Sequence, residues 1–185
     1  MRGALMGVLV LLLAGCAGSG GGGVNPRVYD LGIEPPAARF PGLQGLRVRA
    51  VAPFDTNDML YRLAFRNPAE LLAFSQSRWA ATPAVLLQRR FSRAAADGAA
   101  RCGVEFEVTE FTQVFASREA SDIVIEGRAA LLSGTRRIAE RVFRVVEADA
   151  GGSAASGARG VARAADRLIG EIAAWSSGVA ACSSG

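Results

Sequence analysis

The chain has 185 residues, half of them hydrophobic, with 21 basic and 17 acidic residues and a formal charge of +4. Histidine is absent and every basic residue is arginine, which removes the commonest general base and the commonest transition-metal ligand. A Ser–His–Asp site cannot be built, a Ser–Lys variant lacks its lysine, and scattered arginines not interleaved with aromatics argue against a nucleic-acid surface.

Residues 1–15 read as a signal peptide. Arg2 precedes an apolar run from Ala4 to Leu13, about ten residues, which suits a signal h-region and is too short for a membrane-spanning helix. Small residues follow, and Leu13-Ala14-Gly15-Cys16 resembles a bacterial lipobox. That resemblance implies a diacylglycerol thioether on Cys16, cleavage before it, and acylation (palmitate) of the new amine. Each buried CH2 is worth about 0.8 kcal/mol, so three chains make a durable anchor. Cleavage would leave 170 residues, and losing Arg2 lowers the charge to +3. No later segment is apolar for eighteen residues.

Residues 16–26 form a Gly-rich tether; about ten residues of it span under ~20 Å as a coil. Because Ala17 is not Asp, the lipobox reading favours sorting to the outer membrane, on its periplasmic side. The remainder, 27–185, reads as one domain.

Arg27 to Leu31 suggests a short strand, and Pro35, Pro36 and Pro41 a loop. Leu46 to Ala52 alternates apolar and Arg residues, the pattern of a half-buried strand. Met59–Phe65 and Leu71–Gln76 read as a hairpin joined by 66–70. Thr82-Pro83 opens a helix as N-cap and first-turn proline. Its stripe is Ala84, Leu87, Phe91, Ala94 and Ala95, with Gln88, Arg89, Ser92 and Arg93 outward and Gly98 or Gly103 as the stop.

Val104, Phe106 and Val108 alternate with polar residues, and the parity shifts at Phe111 and Phe115, which predicts a bulge near Glu110. Ile123–Leu132 and Ile138–Glu147 complete a three-strand meander. Gly151–Gly160 reads as a loop. A last helix carries Val161, Ala165, Leu168, Ile172 and Trp175 and ends at Gly178. The order predicts an α+β single domain: a mostly antiparallel, or mixed, sheet covered by two amphipathic helices. The strands flanking the first helix are candidates for parallel pairing through a right-handed crossover.

Glu105 and Glu107 fall on the solvated face of a strand, which reads as surface charge rather than a catalytic pair. No catalytic residue and no metal ligand set emerges. Cys102 and Cys182 are an even pair in a secreted chain, so a disulfide is expected, with two unpaired buried thiols as the alternative. Trp79 is either a core anchor or part of a partner-binding surface.

The order of pieces carries a further resemblance. Tyr29 and Leu31, Val51-Ala52-Pro53-Phe54, Met59-Leu60-Tyr61-Arg62, Phe74-Ser75-Gln76-Ser77-Arg78-Trp79-Ala80 with Pro83, Phe111 and Phe115, and Ile172-Ala173-Ala174-Trp175 follow the lipobox in turn. Together they resemble the ABC-type transport auxiliary lipoprotein family, which includes PqiC-like lipoproteins. The chain departs from the family's Trp-Ala-x-Pro-Pro stretch at Ala81-Thr82-Pro83.

The resemblance implies a non-enzymatic subunit, without cofactor beyond the lipid on Cys16, of an ABC transport system that moves lipids or hydrophobic compounds. It would dock a mammalian-cell-entry (MCE) protein and self-associate. Arg62, Arg78 and Trp79 match the family's motif and are the candidates for the docking face. The rivals are a lipoprotein that regulates peptidoglycan synthesis or outer-membrane assembly, a lipid-carrying shuttle, and an enzyme not recognisable by motif.

Overall fold

The computed structural model describes residues 25–40, 45–95, 102–148 and 151–182. The lipobox, Cys16 and most of the tether lie outside these residues. Seven strands form one mixed sheet: β1 (Arg27–Tyr29), β2 (Gly45–Ala50), β3 (Asp58–Leu63), β4 (Asn67–Trp79), β5 (Gly103–Phe115), β6 (Ser121–Ser133) and β7 (Arg136–Ala148). Helix α1 (Pro83–Ala94) follows β4, and α2 (Ala154–Ser177) follows β7. The α+β, single-domain reading holds.

The sheet is organised along β5. On one side β6 pairs with it antiparallel, and β7 continues the meander. On the other side β2 lies beside Gly103–Val108 and β3 beside Gln113–Phe115, both parallel to β5. β2 and β3 thus act as one interrupted strand. The β5 ladder slips between Val108 and Glu110, where one partner gives way to the other. This is the bulge that the apolar parity shift predicts.

The crossover expectation needs correction. β3 sits between β4 and β5, so the strands flanking α1 do not pair; the parallel pairs are β1 with β4 and both β2 and β3 with β5. The hairpin is also tighter than its sequence suggests. Arg66 N donates to Leu63 O at 2.8 Å, closing a turn at 64–66, and β4 starts at Asn67. Pro68 is tolerated there because this part of β4 is flanked on one side only. β1 stops at Tyr29 because the Asp30 carboxylate accepts from Gly32 N at 2.8 Å, and Gly32 takes a φ of +75° that disfavours other residues.

Helix α1 buries Leu86, Leu87, Phe91 and Ala94, while Ala95 already lies outside it. Its end is met by Phe40, whose N–H donates to Ala94 O at 2.9 Å. Gly98 falls outside the described residues, and Gly103 opens β5 rather than ending the helix. Gln88, expected to face solvent, instead reaches β2. It donates to Leu46 O at 2.9 Å and accepts from Val48 N at 2.8 Å, standing in for a neighbouring strand.

Helix α2 begins earlier than composition suggests, and most of the expected loop over 151–160 is its first turns. Ser153 and Ser156 form a reciprocal capping box that satisfies end donors. The small residues are there for packing: a Cβ on Gly157 would collide with the Gln113 carboxamide. Val161, Ala165, Leu168 and Ile172 are buried, and Trp175 meets Phe143 edge-to-face at 5.5 Å. Opposite them lie Val104, Phe106, Val108, Ile123, Ile125, Ala129, Leu131 and Val145, all buried. Gly127 leaves room for the Phe106 ring, which a Cβ would strike.

Polar groups fasten these layers. Arg90 is 4% exposed. Its Nε and Nη2 donate to the two Asp166 oxygens at 2.7 and 2.8 Å, and its Nη1 donates to Leu31 O and Glu34 O at 3.2 and 2.9 Å. Asp166 Oδ2 also accepts from Ala37 N at 3.0 Å. One guanidinium thereby joins α1, α2 and the segment after β1. Cys102, at the head of β5, is disulfide-bonded to Cys182, 80 positions later, with Cα atoms 5.3 Å apart. Glu147 accepts from Arg163 Nε at 2.9 Å and Arg167 Nη1 at 3.1 Å. The Arg163 hydrogen bond leads in holding its carboxyl below the ordinary 4.5, against partial burial that acts the other way.

Three outcomes follow from these fastenings. Arg90→Met strands a mostly buried carboxylate and should cost about 3–5 kcal/mol in urea unfolding, whereas Arg90→Met with Asp166→Leu should recover most of it. Reducing the disulfide, or Cys102→Ala with Cys182→Ala, should lower stability by about 3–5 kcal/mol by the loop-entropy argument, and the unreduced unfolded domain should titrate no thiol from either residue. A depressed carboxylate pKa stabilises above the unfolded value and is lost as pH falls through the folded one. Glu147→Gln should therefore flatten the decline of stability below pH 4.5 and lower stability at pH 7.

Candidate docking surface

The sheet face opposite the helices is a lattice of cross-strand ion pairs. Arg47 and Arg49 of β2 sit opposite Glu105 and Glu107 of β5, with N–O distances of 3.7 and 2.6 Å. Arg144 meets Glu126 at 3.2 Å, and Arg137 reaches Glu105 at 3.7 Å. Half-exposed pairs of this kind are each worth about 0–1 kcal/mol. They nevertheless account for Glu105 and Glu107: each carboxylate has an arginine beside it, as the surface-charge reading expects. Among the described residues, no group of three or more His, Cys, Asp or Glu side chains is placed to hold a metal ion.

Arg62, Arg78 and Trp79 do not form one face. Arg62 holds Glu110 through two hydrogen bonds, Nε to Oε1 at 3.3 Å and Nη2 to Oε2 at 3.1 Å, and Thr112 Oγ1 donates to the same Oε1 at 2.6 Å. It spans β3 and β5 just past the bulge. Arg78 is exposed, opposite Asp58 of β3 and Val28 of β1. Trp79, next along the strand, points to the other face. It is 4% exposed and packs edge-to-face on Phe111 at 5.7 Å. Trp79 is thus the core anchor, and its place in a partner-binding face is withdrawn: the residue that ends β4 must fill the space between sheet and helices.

The structure adds what the sequence reading passed over. Tyr61, Phe74 and Phe115 cluster with centroids 4.6 to 6.5 Å apart, and Tyr61 and Phe74 are half-buried. Phe65, at the hairpin turn, is 42% exposed. Each aromatic is visible in the sequence, but their convergence needs the hairpin's register on β5. A groove of about 500 Å3 runs between β1 and α2, lined by Val28, Tyr29, Ala158, Arg159 and Ala162. At its end lies the Arg90–Asp166 pair, already committed to the fold.

Among the described residues, no helix is long and apolar enough to cross a membrane.

No family model matches the chain, and no curated protein matches it significantly. Solved structures do. A crystal structure of protein XCC0632 from Xanthomonas campestris, assigned to family model DUF330, superposes with a TM-score of 0.61 at 20% identity, covering 82% of this chain and 90% of that one. An uncharacterised protein superposes with a TM-score of 0.62 at 15% identity, covering 82% and 98%. Lipoprotein GNA1162 from Neisseria meningitidis, at a TM-score of 0.26 and 12% identity, is too distant in shape to weigh. At these identities the likeness is one of fold: this chain has the fold of a DUF330 protein.

Proposed function

We propose that this chain is a lipid-anchored periplasmic subunit of an ABC/MCE-type transport system for lipids or hydrophobic compounds. It is held at the outer membrane by acylated Cys16 and works as a docking component without catalysis. The carrying observation is the order of motifs: the lipobox-like stretch comes first, and most of the family-like pieces that follow fall on strands and helices, with Val51–Phe54 in the loop between β2 and β3, of a fold shared with a DUF330 protein. In keeping with export, Cys102 and Cys182 are bridged. The chemistry asked of the domain is recognition, which suits a chain without histidine.

The lipid-carrying shuttle is the second reading, and the groove between β1 and α2 is what favours it. One experiment separates the two. The native lipoprotein, expressed with its MCE-domain partner, should co-purify with that protein in detergent. Cys16→Ser should abolish incorporation of labelled palmitate and move the chain out of the membrane fraction. Stoichiometric phospholipid on the isolated domain, without MCE co-purification, would transfer the case to the shuttle. Normal processing of Cys16→Ser without any acylation of the native chain would remove the anchor.

A further inference from the structure

Among the described residues the sheet has three edges, defended differently: β2, whose Leu46 O and Val48 N are taken by Gln88, β7, and the outer side of β4. An open edge offers unpaired N–H and C=O groups to any passing strand, so proteins usually guard it. β7 carries Arg136, Arg137, Glu140, Arg141 and Arg144 along its length. At its end, α2 closes two of its carbonyls: Arg167 Nη1 donates to Val146 O at 2.8 Å and Arg163 Nη2 to Ala148 O at 3.3 Å.

At the opposite side, β1 covers only Ser77–Trp79 of β4. Among the described residues, no strand pairs with Asn67–Gln76 on the side away from β3. Its first residues are capped locally: Pro68 has no N–H, Ala69 N donates to Asn67 Oδ1 at 3.1 Å, and Arg62 Nη1 donates to Pro68 O and Ala69 O at 3.5 Å, so the open part is Glu70–Gln76. Pro26, just ahead of β1, has no N–H with which to extend the ladder toward Gln76. This stretch carries one charge, Glu70, followed by Leu71-Leu72-Ala73-Phe74. The Tyr61–Phe74–Phe115 cluster lies beside it.

We propose that Glu70–Gln76 is a strand-addition site. It takes an extended, mainly apolar segment of the docking partner, with a Lys or Arg opposite Glu70. The inference rests on the docking reading above and specifies its surface. Ladder hydrogen bonds supply affinity in this mode, and alternate side chains supply selectivity. Here the aromatic cluster receives apolar side chains on one face, and Glu70 sets the register by charge.

A second copy of this chain fits the edge less well. Laid antiparallel along Glu70–Gln76, its Ala69 and Pro68 would fall opposite Ser77 and Arg78, the places beside β4 that Arg27 and Val28 of β1 already hold. A separate segment that ends opposite Gln76 stops short of that conflict.

The test uses the full-length protein in detergent micelles. The probe is a synthetic nine-residue peptide of alternating Val and Thr with Lys at its seventh position, so that antiparallel pairing with Lys opposite Glu70 covers the strand through Gln76. Bound peptide should slow exchange of the outward-facing amides within Glu70–Gln76 at least tenfold and leave β7 unchanged. The same peptide N-methylated at alternate amides cannot complete the ladder and should give no protection. Glu70→Lys, an exposed change, should weaken the Lys peptide at least fivefold and strengthen an otherwise identical Glu peptide. Protection mapped to another element, or equal binding of the methylated peptide, would overturn the proposal. So would protection of these amides on concentrating the protein alone, with a dimer mass, which would give the edge to a second copy. If the peptide fails while the MCE protein still co-purifies, docking stands and this site does not.

Discussion

The buried Arg90–Asp166 pair is the constraint on which the architecture turns. Two helices on one face of a sheet leave a seam between them, and the segment leaving β1 has to cross the same region. Loop carbonyls brought into such a seam lose water and must find other partners. Arg90 answers both demands, since a guanidinium has five donors in a fixed fork. Two are spent on Asp166, and another side of the fork serves Leu31 O and Glu34 O. Asp166 returns the favour to the loop by accepting from Ala37 N. The entry of the chain, the first helix and the last helix are thereby held at one point.

The same chemistry recurs at the surface. An all-arginine chain can do things with its cations that ammonium groups do less well. Arg62 grips one carboxylate with two nitrogens, and Arg163 and Arg167 share Glu147 while also reaching backbone carbonyls of β7. On the outer sheet face the pairs are weak one by one. Together they keep a broad β-surface hydrated and of mixed sign, which discourages sheet-to-sheet stacking. The polarity of that face, with the helices on the other, leaves the flanks of the sheet as the places where backbone can meet another chain.

Much of the fold could be read from local patterns. Ile123, Ile125, Ala129 and Leu131 announce a strand by simple alternation, and the slip after Val108 shows as a parity change. Other features depend on partners far away in the chain. Arg90 stands in the polar run Gln88-Arg89-Arg90, and nothing nearby says that its partner waits 76 positions on. The start of α2 is hidden because Ala, Gly and Ser there answer to a close approach on Gln113 rather than to periodicity. The candidate docking residues are the least legible from sequence. Arg78 and Trp79 are neighbours in sequence, yet a strand sends neighbours to opposite faces, so a motif that looks like one patch divides between surface and core. An unpaired edge has no residue signature at all, because it is defined by what lies beside it.

The cross-link between Cys102 and Cys182 has a consequence for biogenesis. The chain holds three cysteines, and three thiols admit three possible pairings. On the lipoprotein reading, the export machinery alkylates the first of them at the membrane. What remains is a single pair with a single permitted connection. The thioether would then act as a guard on oxidation as well as a mooring, and a precursor that met oxidants before it met the lipid would be the one exposed to scrambling.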